Sequence, residues 1–480
     1  MTPPITESPQ PTAALPPDSL PQPPTLPLTA LPGFLLRARR DIVPALTTLF
    51  EVGSPVRLSA PGTRLVFVDR AADADRVLVG RQDVYVKGPE YDIPALGLRA
   101  GLVTSRGARW QRDRAMLNPL FAKRGVAPLI PLMRQRVLAQ RQRWERYGDG
   151  DRVDVAHEMM QVTLDIAART MFGVALNDTD SARLGVVVER ILRDMLLVGN
   201  SPVTWGAQAL PGMTLGRAAR LHWRSVRIRH GLAEADEFMR EVLRRRAADP
   251  SAPGDDFLAR LLSARDELTG APLPISEILE QSQTFLAAGH ETTATGLTWM
   301  WHLLGANPQA RQRLFDELDE VLDGCDPEVS DLDRLPWTRA CFAEALRIHP
   351  PVYLSMRTAT RDDELSGRFI PAGTIVVVLT HLLHRDPEIW PDPLRFDPAR
   401  FLPGAGPARP RGAYLPFGGG RRVCIGAQFA TAETTLLTAA LAQRFRLDPL
   451  PGVRVREQGW TTLRPRGGLT MTLHRRAVRA

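Results

Sequence analysis

Apolar residues recur at intervals of three and four positions over long parts of the chain, which is the spacing of a helix with one buried face. Shorter apolar runs bounded by Gly and Pro turns are typical of strands. The chain is therefore expected to be mostly α-helical with a small β part. The predicted helices cover residues 35–50, 127–147, 155–172, 181–197 and 215–247, and the predicted strands cover residues 56–58, 65–68 and 375–380.

Two segments lack a clear period. Residues 85–103 mix Gly, Pro and aromatic residues, so we predict a loop that lines a pocket. Residues 199–213 are rich in Gly and Pro and lie between two predicted helices. We predict that this second segment is a flexible lid.

A further helix is predicted from Pro274 to about Gly305, where Asn307 and Pro308 end it. One of its faces carries small or polar residues where a core helix has large apolar ones. We therefore expect a ligand to fill the space beside this face. The residues of the face are Phe285, Ala288, Gly289, Thr292 and Gly296.

Residues 417–426 form a glycine-rich turn around a single cysteine, Cys424. Helical spacing begins at Ile425, which predicts that Cys424 lies at a helix N-terminus, where a thiolate is favoured. One thiolate is too few ligands for zinc, but it suits an axial ligand of haem. The alternative is a structural cysteine buried in a glycine turn.

The chain has 480 residues, a net charge of +8 and 61 basic residues, of which only Lys87 and Lys123 are lysines. The arginines are scattered and no nucleic-acid motif accompanies them, so nucleic-acid binding is not expected. The three cysteines, Cys325, Cys341 and Cys424, are an odd number and far apart. This argues against disulfide bonds and predicts a reducing, cytoplasmic location.

Residues 1–34 are predicted to be a flexible Pro-rich tail, because eleven prolines in the first 32 positions prevent a helix. The same prolines interrupt any apolar run long enough for a signal peptide or a membrane anchor. Residues 35–480 contain no long polar linker, and we expect them to form one catalytic domain.

Five short patterns, which follow one another along the chain in the order typical of the family, resemble the signatures of the cytochrome P450 haem-thiolate monooxygenases. The cysteine loop meets F-x-x-G-x-R-x-C-x-G in full, and residues 288–292 read A-G-x-E-T. A W-x-x-x-R pair, an E-x-x-R pair and a run at residues 384–401 that resembles the family's meander lead-in accompany them. The resemblance, to soluble bacterial members, implies a single triangular, mostly α domain with a small β part enclosing a b-type haem.

The resemblance also implies roles for individual residues. Cys424 is the expected axial ligand of the haem iron. Glu291 and Thr292 are the expected acid and alcohol of a proton relay, and Gly289 is expected to let the helix open locally. The other expected haem-binding residues are Trp110, Arg114, Arg357, Phe417, Gly420, Arg422 and Gly426. The expected structural triad is Glu344, Arg347 and Arg400, and the expected pocket residues are Phe285, Ala288, Val352, Leu354 and Thr461.

Two of these motifs have simpler explanations when each is taken alone. Trp110 can pack on the stem of Arg114, and Thr292 can bond its own helix while Glu291 lies in solvent. Their order ahead of the cysteine loop favours the functional interpretation.

The implied reaction inserts one oxygen atom of O₂ into an apolar organic small molecule, by hydroxylation or epoxidation. No flavin, iron–sulfur or nucleotide-binding segment is recognisable, so a separate ferredoxin or flavodoxin with its reductase is expected to supply electrons at a basic surface. We expect a monomer. The basic residues expected at that surface are Arg109, Arg112, Arg409, Arg411 and Arg421.

Two other functions stay open. A peroxide-driven haem enzyme needs no electron partner, although such relatives lack the acid–alcohol pair that this chain has. A non-catalytic haem protein that senses a gas or carries a ligand needs neither a relay nor a lid. The sequence does not indicate which apolar substrate is used, because pocket shape depends on loop conformation.

Overall fold

The computed structural model describes residues 19–27, 29–60, 62–172, 178–210, 212–248, 256–266, 269–406 and 408–476. These residues form one mostly helical domain with a small β part, as predicted. The helices are α1 (Leu31–Arg40), α2 (Ile42–Leu49), α3 (Ala71–Asp75), α4 (Asp92–Leu98), α5 (Gly107–Phe121), α6 (Lys123–Val126), α7 (Ile130–Trp144), α8 (Val155–Phe172), α9 (Asp178–Gly199), α10 (Pro202–Gly206), α11 (Leu215–Leu221), α12 (Arg224–Ala248), α13 (Phe257–Ser263), α14 (Ile275–Ala306), α15 (Pro308–Leu322), α16 (Pro336–Ile348), α17 (Thr380–Leu383) and α18 (Ala427–Ala442).

The strands form four small sheets. They are β1 (Val56–Ala60), β2 (Thr63–Val68), β3 (Tyr85–Val86), β4 (Arg152–Asp154), β5 (Ser355–Ala359), β6 (Asp363–Leu365), β7 (Arg368–Ile370), β8 (Ile375–Val378), β9 (Phe445–Pro449), β10 (Glu457–Gly459), β11 (Leu463–Pro465) and β12 (Thr470–Arg475). The largest sheet has the order β1-β2-β8-β5-β3, and only β2 and β8 in it are parallel. The other sheets are β4-β12-β9, β6-β7 and the hairpin β10-β11.

The tail predicted to be flexible is part of the folded body where the structure describes it. Thr25 pairs with Arg57 beside β1, and the Phe369 amide donates to the Pro21 carbonyl at 3.0 Å. Leu26 is buried in the same place. Among the described residues of the tail, positions 21–27 lie outside any helix and run along a sheet edge, whereas Leu31 begins α1 with Pro32 in its first turn. The predicted boundary at residue 34 is therefore wrong for the described part of the tail, and residues 1–18 lie outside the described residues.

Several predicted segments have different limits in the structure. The helix predicted at 35–50 is split at Asp41, whose side chain accepts from the Val43 amide and caps α2. The helix predicted at 215–247 is split at His222, which has an extended backbone. Apolar spacing continues across both breaks, so periodicity alone does not reveal them. Residues 85–103, predicted as a loop, contain β3 and α4, and the predicted lid contains α10.

The central helix is α14, which has 32 residues and is about 48 Å long. It packs between α8 and α16. A Cβ atom added at Gly296 would lie 3.0 Å from the Phe342 ring and 3.1 Å from Leu346, both on α16. Gly296 is therefore small because two helices approach closely there, which corrects its place on the predicted ligand face.

The three residues predicted as a charged triad lie together at the end of α16. Glu344 and Arg347, both fully buried, form two hydrogen bonds of 2.7 and 2.8 Å. Arg400 approaches the same carboxylate at 3.4 Å, and the Asp397 amide donates to it at 3.0 Å. Arg347 also donates to the His384 and Pro393 carbonyls, each at 2.8 Å. This cluster therefore ties α16 to the segment that leads to the cysteine loop.

We predict that Arg347→Ala lowers the free energy of unfolding by about 3–5 kcal/mol, because Glu344 would stay buried without its partner. Urea denaturation measures this change. Lys123→Ala is the control, since Lys123 and Asp333 form an exposed ion pair at 3.1 Å. Equal effects of the two substitutions would contradict the structural importance of the buried pair.

Candidate active site

Within the cysteine loop, residues 417–426, Cys424 lies between a short 3₁₀ turn, Gly420–Arg422, and the start of α18. The Cys424 amide donates to the Phe417 carbonyl at 2.8 Å, which closes the loop. The Gly426 N–H donates to the Cys424 sulfur. Because α18 begins only at Ala427, Cys424 precedes the helix instead of occupying its first turn.

The electrostatics of Cys424 differ from the expectation of a thiolate favoured by the helix. The residue keeps an exposed face, but the surrounding protein desolvates its sulfur. This desolvation raises the pKa of the Cys424 thiol, although the Gly426 amide and Arg114 oppose the shift. The protein alone therefore favours the thiol, and a bound metal cation would be needed to hold the thiolate.

Gly420 is required by a close approach of two backbone segments. It has a φ of 65°, and an added Cβ atom would lie 2.3 Å from the Leu78 carbonyl. The neighbouring Arg421 amide donates to Gln82 at 2.5 Å. The loop is thus held against the segment after α3, whereas a Cβ atom added at Gly426 would meet only the Cys424 sulfur, at 3.9 Å.

The predicted Trp110, Arg114 and Arg422 converge on this loop. The Arg422 guanidinium lies over the Trp110 ring, 3.9 Å from its centroid. Arg422 also donates to the Ser105 carbonyl at 2.9 Å, and Arg114 donates to the Val423 carbonyl at 2.9 Å. Helix α5 therefore supplies two of the residues beside the loop, and the guanidinium over the Trp110 ring is that of Arg422.

Arg357 and a residue that the sequence analysis missed, Lys87, complete a cluster of cations. Burial lowers the pKa of Lys87, and the charges of Arg357 and Arg422 lower it further. Burial and Arg357 likewise lower the pKa of Arg422 to about 10. Lys87 was recognisable in the sequence only as one of two lysines in an arginine-rich chain.

The cluster has more positive charge than the protein neutralises. Within the described part of the chain, Lys87, Arg114, Arg357 and Arg422 form no ion pair. The nearby Glu90 carboxylate accepts from the Gly88 amide at 2.8 Å and from the Thr358 hydroxyl at 2.6 Å. Repelling, partly buried cations favour an anionic ligand. Two carboxylates on the edge of a haem, next to Cys424, fit this donor set.

The polar part of α14 has an open side. A Cβ atom added at Gly289 would meet no atom within 4 Å, and Ala288 and Thr292 are half-buried on the same part of the helix. The Thr292 hydroxyl donates to the Ala288 carbonyl at 2.7 Å. This is the local bond expected of a helical threonine, so any further role of the hydroxyl requires it to share or exchange this bond.

Glu291 does not lie in solvent. It is 9% exposed, and its carboxylate oxygen Oε1 accepts from the Thr461 and Thr462 hydroxyls, each at 2.9 Å. These threonines lie in the turn between β10 and β11. The predicted relay acid and the predicted pocket residue Thr461 are therefore in direct contact, which the sequence analysis did not foresee.

Phe285, predicted to line the pocket, belongs to the core instead. Its ring centroid lies 5.0 Å from that of Phe121 and 5.0 Å from that of Phe257. Of the other pocket candidates, Val352 is 45% exposed and Leu354 packs beside the core of the N-terminal sheet. Apolar neighbours thus surround Phe285 because α13 and α5 cover that face of α14.

An apolar cavity of about 40 Å³ lies between α4, α9, α12 and α14. Part of its wall is formed by Leu286 and Ala287, next to the open part of α14. Further residues of the cavity wall are Leu98, Ile191, Leu232 and Met239.

Among the helices of the described residues, none has an apolar run long enough to cross a membrane.

Comparison with known proteins agrees with this arrangement. The family model described as Cytochrome P450 matches residues 21–470. Cyclooctatin synthase of Streptomyces melanosporofaciens is 35% identical over 433 residues, 89% of this chain and 90% of the relative. Cyclooctat-9-en-7-ol 5-monooxygenase of the same organism is 36% identical over 371 residues, 77% of either chain. Taurochenodeoxycholic 6 alpha-hydroxylase of Sus scrofa is 31% identical over 432 residues, 86% of this chain and 83% of the relative. The chain therefore belongs to the cytochrome P450 family and is an oxygenase of the haem-thiolate type.

Proposed function

We propose that this protein binds haem b through Cys424 and inserts one oxygen atom of O₂ into an apolar organic substrate. The observation that carries the proposal is the cluster of unpaired cations beside the exposed face of Cys424. A cysteine sulfur and an excess of positive charge match the iron and the two propionates of this cofactor.

The residues that would hold the haem come from three parts of the chain. Cys424 would ligate the iron, with Phe417, Gly420 and Gly426 shaping its loop. When bound, the haem would supply the activation of O₂, with the thiolate as an electron-donating ligand. The propionate partners would be Trp110, Arg114, Arg357 and Arg422, joined by Lys87.

On the α14 side, the protein's own groups would deliver protons. The Thr292 hydroxyl, now bonded to Ala288, can rotate to donate toward the open space beside Gly289. Glu291 is the neighbouring acid and would replace the proton that the hydroxyl gives away. Because Gly289 has no side chain, room for oxygen or water is left at this point.

The substrate is proposed to be an apolar molecule that is hydroxylated or epoxidised. The small cavity beside α14 has an apolar lining. The named relatives include Cyclooctat-9-en-7-ol 5-monooxygenase and Taurochenodeoxycholic 6 alpha-hydroxylase. Ala288, Val352, Leu354 and Thr461 are proposed to contact it. Phe285 is not proposed, because its ring packs in the core.

A separate ferredoxin or flavodoxin with its reductase is proposed to supply electrons at a basic surface. Arg109 and Arg112, which the sequence predicted at that surface, are left out of the proposal because they pair with Glu280 and Glu277 on α14.

Arg411 is 74% exposed, and Arg421 is exposed as well. Arg411 lies 3.4 Å from Asp75 and the Arg421 amide bonds Gln82, so both adjoin the same segment. Arg409 lies over the Trp390 and Phe401 rings. We also propose that the protein is a cytoplasmic monomer. Its single catalytic domain would include the described residues before position 35.

We predict that Cys424→Ala abolishes the absorption band of the reduced carbon-monoxide adduct that is typical of a haem-thiolate protein, because the axial sulfur is lost. Difference spectroscopy measures the band. Cys325→Ala removes another exposed cysteine and should keep the spectrum. A thiolate-type spectrum in Cys424→Ala would overturn the cofactor assignment.

We predict that Thr292→Ala keeps the haem spectrum but raises, severalfold, the share of consumed oxygen that is released as hydrogen peroxide, because the last proton donor is missing. Thr293→Ala is the matched control, since its hydroxyl bonds the Gly289 carbonyl of the same helix at 2.8 Å. Simultaneous assays of peroxide and product give the ratio. Fully coupled turnover in Thr292→Ala would argue against the relay.

We predict that reversing both charges in Arg411→Glu/Arg421→Glu slows reduction by an acidic ferredoxin about tenfold at low salt, because electrostatic steering is lost. Stopped-flow spectroscopy at several ionic strengths measures the rate. Arg240→Glu, on the exposed face of α12, should leave it unchanged. Reduction that is independent of ionic strength in the unmodified protein would contradict a charged docking surface.

A further inference from the structure

The turn between β10 and β11 is fastened to one face of α14. Glu291, Thr295 and Trp299 are spaced four residues apart on that helix. Glu291 accepts from both threonines of the turn, and Thr295 lies 3.5 Å from the Thr462 hydroxyl. The Trp299 indole donates to the Leu463 carbonyl at 2.7 Å. Glu291, Thr295 and Trp299 therefore make three contacts in a row between α14 and the hairpin, and the contact of Glu291 is the one nearest the N-terminus of the helix.

The other side of the hairpin is held mainly by residues outside α14, although His349 also stacks on Trp299 of that helix, with ring centroids 3.8 Å apart. On β10, the Glu457 carboxylate bonds His349 at 2.6 Å and His381 at 3.0 Å, and Arg385 pairs with it as well. The Tyr353 hydroxyl donates to the Trp460 carbonyl at 3.0 Å. The hairpin is thus anchored on both sides, and the hydroxyls that Glu291 meets belong to a segment held largely by residues outside its own helix.

Two hydroxyl donors on one oxygen orient a carboxylate. Both Thr461 and Thr462 bond Oε1 of Glu291, whereas no described residue donates to Oε2. The orientation leaves Oε2 available to exchange a proton with water or with a neighbouring hydroxyl. Without these two donors the Glu291 side chain would be free to rotate, and the path of the proton would no longer be defined.

We propose that Thr461 and Thr462 are positioning residues that orient the Glu291 carboxylate for proton delivery, so that the hairpin tip determines how much oxygen consumption is coupled to product. This inference rests on the proposed relay through Glu291 and Thr292. It adds that the acid is not oriented by its own helix but by a turn 170 residues later in the sequence. Because that turn borders the proposed pocket at Thr461, substrate contact and proton supply meet at one residue.

The test uses the haem-loaded enzyme and the double variant Thr461→Val/Thr462→Val, which keeps the side-chain shape and removes both donors. Thr461→Ser/Thr462→Ser restores the donors. Thr298→Val is the matched control, since this buried hydroxyl bonds only the Ala294 carbonyl of α14, at 2.7 Å. Thermal unfolding and the spectrum of the reduced carbon-monoxide adduct verify that each variant is folded and carries haem.

The first readout does not depend on turnover. Infrared difference spectra against Glu291→Gln identify the carboxylate band of Glu291 in the resting enzyme. We expect the valine variant to shift this band, because the oxygen loses two hydrogen bonds, and the serine variant to restore it. An unchanged band in the valine variant would overturn the proposal.

The second readout is the share of consumed oxygen that appears as hydrogen peroxide. We expect a severalfold rise in the valine variant, recovery in the serine variant and no change in Thr298→Val. If Glu291→Gln raises this share but the valine variant does not, the positioning role is overturned while the relay stands. If Glu291→Gln is itself fully coupled, the relay of the proposed function is overturned together with the positioning role.

Discussion

Positive charge that the protein does not neutralise is the constraint around which this site is built. Lys87, Arg114, Arg357 and Arg422 gather beside the cysteine loop. The nearby buried carboxylate of Glu90 accepts from Gly88 and Thr358, and its charge offsets only part of theirs. Burying cations without partners is unfavourable, and the lowered pKa values of Lys87 and Arg422 express that cost. A folded protein keeps such an arrangement when a ligand supplies the missing negative charge. In the proposed function, the loop, the stacked Trp110 and the strand that carries Arg357 would meet this ligand.

Charge is treated differently on the far side of the cysteine loop. Glu344 and Arg347 are fully buried, but each is saturated by the other and by backbone groups. This cluster needs no ligand, and its role is to connect α16 with the segment that leads to Cys424. The two clusters follow one rule, which is that a buried charge needs a partner of opposite charge. In the Glu344–Arg347 cluster the fold supplies that partner, and in the cation cluster a bound ligand would supply it.

The α14 side shows how a functional helix depends on distant segments. Among the described residues, the Thr292 hydroxyl bonds the Ala288 carbonyl of its own helix, as helical threonines commonly do. This bond does not orient the hydroxyl toward the open side of α14. Glu291, next to it, is held by threonines of the C-terminal hairpin, which is itself anchored through Glu457. The acid and the alcohol are neighbours in sequence, yet the surroundings of each are set by different parts of the fold.

The sequence by itself determined the class of the fold, the course of the central helix and the cysteine loop, because these depend on local periodicity and on residues close together in the chain. It also located the Glu344–Arg347 pair, which lies within one helical turn. It could not separate α1 from α2 or α11 from α12, since apolar spacing runs through both breaks.

Contacts between distant segments were decided only by the tertiary structure. Phe285 is in the core because α5 and α13 cover it, and residue 296 is a glycine because α16 crosses α14 closely there. Arg109 and Arg112 are occupied by carboxylates of α14, and Glu291 is bound by a turn 170 positions away. Long-range pairing of charges and hydroxyls leaves no periodic trace in a single sequence. For this reason the place of Lys87 in the cation cluster and the bonds from Thr461 and Thr462 to Glu291 became visible only when the chain was folded.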